Sequence, residues 1–279
     1  MPAVFVLIWS TGFIVARLGM PFAPPFSFLA WRYALSAACL VAWVFIAGVR
    51  WPQGRQRWHL CVTGLLMHAG YLGGVWAAVK GGMGAGLSAL IVGLQPVLTA
   101  LWLAYWGDRV KPQQWLGLLL GLTGLTLVIW DRLSAGTVTW HNSAWIVVGL
   151  LSITAGTLYQ KRFILPCDVR SANAVQLMAA LVVTLPLAWA ETEPVVWNLH
   201  SVSAMAWSVL ALTIGASSLL YLLIQRGAAT SVASLMYLVP PCTAVLAWLL
   251  FDEPLGARVL LGVAITALGV WWVVKRGAR

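Results

Sequence analysis

Polar and aromatic side chains recur at helical spacing inside stretches of the chain that are otherwise apolar. Ser88 and Gln95 share one face of such a stretch, and His68 and Tyr71 share a face of the stretch before it. Polar groups at membrane depth normally face inward, because lipid offers them no hydrogen-bond partner. We therefore predict a central cavity that binds a small amphipathic molecule. The predicted contacts are Trp9, Ser10, Thr11, His68, Tyr71, Trp76, Lys80, Ser88, Gln95, Tyr159, Ser218, Tyr221, Gln225 and Tyr237.

Proline marks two of these stretches in matching places. Pro96 lies near the middle of one, and Pro240 and Pro241 lie near the middle of another. Proline lacks a backbone donor and disturbs the preceding turn, so the freed carbonyls must face protein or a water-filled cavity. We predict hinges at these prolines and at the Gly81-Gly82 turn. The alternative is that the prolines are structural kinks that only shape packing.

Acidic side chains are scarce, and all 7 lie in loops or at the ends of apolar stretches. No carboxylate is therefore expected at mid-membrane to bind sodium or carry a proton, and only His68 could titrate there. A neutral hydrogen-bonding role for this histidine is the alternative. Arg17, Arg32 and Lys80 lie toward the ends of the first three stretches, where they would snorkel to the interface or attract the carboxylate of a solute. We expect no cation at mid-depth.

Residue patterns typical of catalysis or metal binding are missing from the sequence. The chain contains no GxSxG or HExxH motif and no paired carboxylates within the apolar stretches. Its four cysteines lack the spacing of a metal site and are interpreted as small packing residues. We predict no enzyme activity, no bound metal and no cofactor.

The elements that must position these side chains are membrane-spanning helices. Hydrophobic residues make up 61% of the chain and charged residues only 9%, against about 25% charged in ordinary soluble domains. The apolar stretches are about 20 residues long, which suits a helix that crosses a bilayer core of about 30 Å. The predicted spans are 3–22, 28–48, 59–79, 84–106, 112–131, 143–165, 171–190, 203–225, 229–251 and 256–274.

The second five spans read as a copy of the first five. Residues 93–130 align with residues 237–274, with Pro96 on Pro240. Because each copy crosses the bilayer an odd number of times, the two copies must lie in opposite orientations. The predicted fold class is an all-α integral membrane protein of ten transmembrane helices in two inverted five-helix repeats. The two repeats are predicted to span residues 1–136 and 137–279.

The net charge of +10 comes from basic residues placed mostly in loops of one parity. This bias places both termini in the cytoplasm. Loops this short cannot build the continuous basic surface that nucleic acid requires, so we exclude nucleic acid as a partner. The basic residues expected on the other side are Arg17, Arg32, Lys80, Arg132 and Arg258.

Short motifs along the chain match one known family. They are the segment Trp9–Phe13, the proline-rich link with the sequence that follows it at 21–33, and the segments Leu94–Pro96 and Leu238–Pro240. With the glycine-rich fifth and tenth spans, the chain resembles the bacterial EamA-type branch of the drug/metabolite transporter superfamily over nearly its whole length. The resemblance implies export of metabolites by alternating access across the bacterial inner membrane. The aromatic cavity is similar to that of amino-acid exporters of the YddG type, which would imply export of aromatic and other neutral amino acids.

Two other kinds of transport protein remain open at this point. A sugar-phosphate or nucleotide-sugar transporter would need several cations in its cavity to bind phosphate. A passive channel would also fit apolar helices around a polar cavity. The expected partners are a small-molecule substrate and the lipid bilayer, and the chain is expected to be a monomer or a weak homodimer.

Overall fold

A computed structural model describes residues 2–105, 112–134, 137–216, 219 and 238–277. Every extended regular element in that part of the chain is a helix. Two of these elements are π-helical segments, Leu65–Gly70 and Ser208–Ala216. The α-helices are α1 (Pro2–Gly19), α2 (Pro25–Ile46), α3 (Gly54–Gly64), α4 (Tyr71–Lys80), α5 (Ala85–Val92), α6 (Gln95–Tyr105), α7 (Pro112–Ser134), α8 (Trp140–Phe163), α9 (Val169–Trp189), α10 (Leu199–Trp207), α11 (Val239–Phe251) and α12 (Ala257–Gly277).

Five helical segments are long and apolar enough to cross a membrane. They are α2, the continuous segment Gly54–Lys80, α8, α9 and the segment Leu199–Ala216. Shorter apolar segments lie in α1, α5–α6, α7, α11 and α12. Many large apolar side chains on these helices are exposed, as expected where lipid rather than water surrounds them. The chain is therefore a multi-pass membrane protein.

Local sequence sets where several helices begin. Pro25 occupies the first turn of α2, where its missing N–H costs no hydrogen bond. Thr139 and Asn142 form a reciprocal capping box at the start of α8, and Asn198 and Ser201 form another at the start of α10. Each box satisfies backbone donors that the first helical turn leaves unpaired.

Glycines allow α7 and α12 to pack backbone against backbone, as the sequence predicts. A Cβ atom added to Gly262 would lie 2.6 Å from the carbonyl oxygen of Gly124. One added to Gly269 would lie equally close to the carbonyl oxygen of Gly117. Any larger residue would push the two helices apart, so these glycines allow the close contact between α7 and α12.

The helices of the first half pack mainly against those of the second half. Helix α2 packs on α9, α5 on α11 and α7 on α12, while α4 packs on α8 and α1 on α10. Loops gather at two ends of the bundle. One end holds the Gly81 turn, whose carbonyl oxygen accepts a hydrogen bond from Asn142 Nδ2 at 3.0 Å, and we call it the glycine-turn end. At the opposite end Gln56 Nε2 donates to the carbonyl oxygen of Leu165 at 2.9 Å.

Candidate functional site

A central cavity of about 130 Å³ lies among α1, α2, α4, α8, α9 and the two π-helical segments. Its walls are mostly apolar, and four aromatic rings contribute to them. Polar groups reach it at only a few points. The aromatic wall residues are Trp9, Phe13, Tyr71 and Trp76, and the polar ones are Arg32, His68, Asn173 and Thr213.

A second cavity of about 110 Å³ adjoins the first, beside the interruption between α5 and α6. Trp9, Phe13 and Tyr71 line both cavities and so form the wall between them. Gln95, Pro96 and Pro240 line the second cavity. The two predicted proline breaks therefore meet at one place, next to the central cavity.

The helix interruption before Pro96 is held by a tight contact between the two halves. Helix α5 ends at Val92 and α6 begins at Gln95. A Cβ atom on Gly93 would lie 2.8 Å from Cγ of Pro240, so a larger residue would have to displace α11. Pro240 lies in the first turn of α11, where its missing N–H donor is tolerated.

Both π-helical segments present side chains to the central cavity. Met67 and His68 come from the first, and Leu212 and Thr213 come from the second. Thr213 Oγ1 donates to the carbonyl oxygen of Ser208, five residues back, at 2.9 Å, so the side chain reinforces the wider turn. Such π-helical turns often occur at functional sites because they redirect side chains that an α-helix would align differently.

Arg32 is the cation of the central cavity. Its side chain is 7% exposed, its Nη2 lies 3.5 Å from Thr213 Oγ1, and its guanidinium carbon lies 5.9 Å from the centre of the Trp76 ring. Its burial contradicts the expectation that it snorkels to the interface, whereas the expectation that no cation lies at mid-depth stays a prediction. Because α2 begins at Pro25, residue 32 lies two turns inside the helix and is directed at the second π-helical segment.

Five of the predicted contacts line the two cavities. Gln95 Nε2 also donates to Thr157 Oγ1 of α8 at 2.8 Å. Their contact with a substrate stays a prediction. The five residues are Trp9, His68, Tyr71, Trp76 and Gln95.

Three predicted hydroxyl contacts make hydrogen bonds to their own helices. Ser10 Oγ donates to the Val6 carbonyl at 2.7 Å, and Ser88 Oγ donates to the Gly84 carbonyl at 2.9 Å. Thr11 Oγ1 donates to the carbonyl of Ile8, and it accepts from Trp207 Nε1 at 2.8 Å. A helical hydroxyl commonly bonds the carbonyl one turn back, so none of them is left to face the cavities.

Two further predicted contacts lie toward the ends of the bundle. Lys80 Nζ pairs with a Glu193 carboxylate oxygen at 2.5 Å and donates to the Met20 carbonyl at 3.1 Å, at the glycine-turn end. Tyr159 forms a 2.7 Å hydrogen bond with His59 Nδ1, toward the opposite end. The remaining predicted contacts lie outside the described residues; they are Ser218, Tyr221, Gln225 and Tyr237.

The Gly81-Gly82 turn is tight, and Gly82 has a φ of 93°, which favours glycine. Glu253 reaches this turn from the second half. Its carboxylate accepts from the backbone N–H of Ala85 at 2.8 Å and of Gly86 at 3.4 Å, at the start of α5. The hinge role of the turn stays a prediction.

Sequence reasoning missed several residues of the central cavity. Asn173 and Thr213 are isolated polar residues inside apolar stretches, so the rule that selected Gln95 would also have found them. Phe13 and Met67 carry no comparable signal. In the ranges that the structure describes, no three His, Cys, Asp or Glu side chains come together as a metal ion requires.

An apolar helical bundle around a partly polar cavity is typical of membrane transporters. The EamA-like transporter family model matches residues 3–130 and again residues 143–275. The chain belongs to this family, within the drug/metabolite transporters, whose membership implies a small-molecule substrate and a lipid environment.

Relatives of the chain are themselves described as transporters. It is 27% identical to an uncharacterized transporter of Archaeoglobus fulgidus, over 96% of this chain and 94% of the relative. It is 27% identical to the uncharacterized inner membrane transporter YedA of Escherichia coli, over 95% and 84%. A probable amino-acid metabolite efflux pump of Escherichia coli is 23% identical over 95% and 91%. One crystal structure shares the fold, with a TM-score of 0.67 at 18% identity, covering 100% of this chain and 97% of that one.

Proposed function

We propose that the protein exports small amphipathic metabolites, aromatic and other neutral amino acids first, by alternating access. The observation that carries this proposal is the pair of adjoining cavities, which share an aromatic wall from α1 and α4. An engineered apolar cavity of about 150 Å³ holds benzene, so the two cavities together suit an aromatic ring with a short polar tail. The similarity to a probable amino-acid metabolite efflux pump supports the same substrate class.

The mechanism requires two inverted five-helix repeats, residues 1–136 and 137–279, in a ten-span bundle. The pairing of α2 with α9 and of α7 with α12 joins helices that occupy the same place in each half, and α5 packs on α11, which lie within the matching fourth and ninth predicted spans. The pairing of α4 with α8 is matched by that of α10 with α1 when the halves are exchanged. The family model also matches the chain twice. These observations support two halves that rock about the central cavity.

The proposed location is the bacterial inner membrane, with both termini in the cytoplasm. The basic residues favour this orientation through the positive-inside bias. It makes the glycine-turn end the outer end of the bundle. No Asp or Glu is among the described residues that line the two cavities, which supports facilitated export, or weak proton coupling through His68, over sodium coupling.

Transport by purified protein in liposomes tests the proposal. We expect saturable uptake and counterflow of aromatic amino acids, measured for a panel of amino acids with and without a pH gradient. Substitution of Trp9, Tyr71 or Gln95 by alanine should lower uptake at low substrate concentration by about fivefold or more, because each removes part of the cavity wall.

Trp248→Ala is the matched control, since this tryptophan is half exposed on the outside of α11. It should leave uptake unchanged when the amount of inserted protein is equal. If all three cavity variants transport normally, the cavity assignment is wrong. Flux that never saturates would instead identify a passive channel.

A further inference from the structure

Arg32 brings a full positive charge to the wall of the central cavity. Its small exposed fraction faces that cavity, because the rest of the side chain is enclosed by α2 and its neighbours. A buried charge is unfavourable unless an opposite charge and hydrogen bonds compensate it. A charged residue in the wall of a cavity in a membrane protein therefore indicates a functional site with a binding partner for that charge.

The contacts of Arg32 within the protein leave most of its charge uncompensated. The guanidinium has five N–H donors, and its described hydrogen bond, to Thr213 Oγ1, is at the long limit of 3.5 Å. The Trp76 ring faces the cation at 5.9 Å. Among the described residues, the lining of this cavity contains no carboxylate, and the ion pairs involve other cations.

A carboxylate is the group that this arrangement fits. The guanidinium fork matches the two oxygens of a carboxylate in a bidentate pair. A phosphate dianion would bring a second negative charge, and the described part of this lining supplies one Lys or Arg to meet it. The rings of Trp9, Phe13 and Trp76 then surround the apolar remainder of the molecule.

The same cavity offers little to an ammonium group. Without an acidic side chain in the lining, an amine could use only the faces of aromatic rings, and it would meet the repulsion of Arg32. We propose that Arg32 binds the carboxylate of the substrate and that the site requires this carboxylate but not an amino group. The inference rests on the proposed function in taking this cavity as the substrate site.

Three small molecules with the same phenyl body test this preference on the wild-type protein. L-Phenylalanine has both charged groups, 3-phenylpropionate has the carboxylate alone, and phenethylamine has the amine alone. Ligand-induced thermal stabilisation of the detergent-solubilised protein would report binding. We expect the two carboxylates to bind at least about tenfold more tightly than the amine, as loss of a charge-assisted bidentate pair implies. The inference is overturned if all three molecules bind equally, if phenethylamine binds more tightly than the carboxylates, or if L-phenylalanine or 3-phenylpropionate does not bind.

Variants connect the preference to the residue. Arg32→Met should abolish the tenfold preference, while Arg32→Lys should retain part of it. Arg170→Met, which removes a cation in the first turn of α9 that pairs with Asp168, should leave the preference intact. If folded Arg32→Met still prefers the carboxylates, Arg32 is not the residue that binds them. If that variant does not fold, the binding of the three molecules to the wild-type protein still tests the carboxylate preference. Flux in liposomes separates the two proposals: transport without a carboxylate preference removes only this inference, and carboxylate binding without transport removes only the proposed function.

Discussion

Arg32, inside α2, and Lys80, at the end of α4, show how differently two basic side chains can be used. Lys80 closes an ion pair with Glu193, and that carboxylate is 60% exposed, so the pair contributes little to stability. Arg32 is buried against a ring and a hydroxyl instead. The sequence alone does not show which of the two side chains is buried and which forms an exposed ion pair, because this depends on the neighbouring helix that each side chain contacts.

At the residue scale, Asp168 predicts how stability depends on pH at the loop before α9. Its carboxylate accepts hydrogen bonds from the Arg170 guanidinium at 2.9 and 2.7 Å and from the Arg170 backbone N–H at 2.9 Å. The guanidinium first, and then the backbone donors, hold the pKa of Asp168 below its usual value. Since the folded pKa is lower than the unfolded pKa, this stabilisation is present above about pH 4 and is lost as the pH falls through the folded pKa.

Two substitutions separate the charge from the helix cap. Asp168→Asn keeps a capping acceptor and should cost less than about 1 kcal/mol at pH 7, whereas Asp168→Ala loses the cap as well and should cost about 1 kcal/mol or more. Thermal unfolding in detergent at pH 7 and pH 3 would measure both. The difference between wild type and Asp168→Asn should shrink at pH 3, and a difference that grows there would contradict the assigned pKa direction.

At the scale of elements, the helix interruption near Pro96 could be predicted from the sequence and the π-helical segments could not. Pro96 and Pro240 can be recognised in the sequence as helix-disturbing residues, because proline has no backbone N–H to donate in a helix interior. No residue type is required for the wider turns at Leu65–Gly70 and Ser208–Ala216. They depend on how the flanking helices pack, and they decide that His68 and Thr213 face the cavity.

A cap that crosses between the halves yields a prediction at this scale. Asp252 adopts a left-handed conformation with φ of 52°, which ends α11 and turns the chain so that buried Glu253 caps α5. Glu253→Gln replaces one carboxylate oxygen by an NH₂ group facing backbone donors. We expect a loss of about 1.5–3 kcal/mol, the range for hydrogen bonds to charged groups.

Glu193→Gln is the control for this cap, because it alters an acidic side chain at the same end that is exposed. It should cost no more than about 1 kcal/mol. The melting temperatures of the two purified variants in one detergent would give the comparison. Equal losses would mean that the Glu253 cap does not hold the halves together.

At the scale of the whole molecule, the helix content, the duplication and the presence of a cavity follow from the sequence, but the residues that line the cavity follow only in part. Ser88 and Gln95 are seven residues apart and would share a face if the helix were continuous. The interruption at Gly93–Leu94 separates α5 from α6. Ser88 consequently bonds within its own helix while Gln95 reaches the second cavity. Helical spacing cannot predict side-chain direction across a break that packing determines.

The inverted arrangement leads to a test with two loops that hold the same place in the two halves. Residues 47–53 follow α2 and residues 190–198 follow α9, and both contain exposed positions, Gln53 and Thr192. With the four native cysteines replaced by serine, Thr192→Cys in spheroplasts should react with a membrane-impermeant maleimide, and Gln53→Cys should react only after permeabilisation. Because five crossings separate the loops, inverted halves must place them on opposite faces. Labelling on the same face would refute the inverted repeat, whereas the reverse pattern would keep it and place the termini outside.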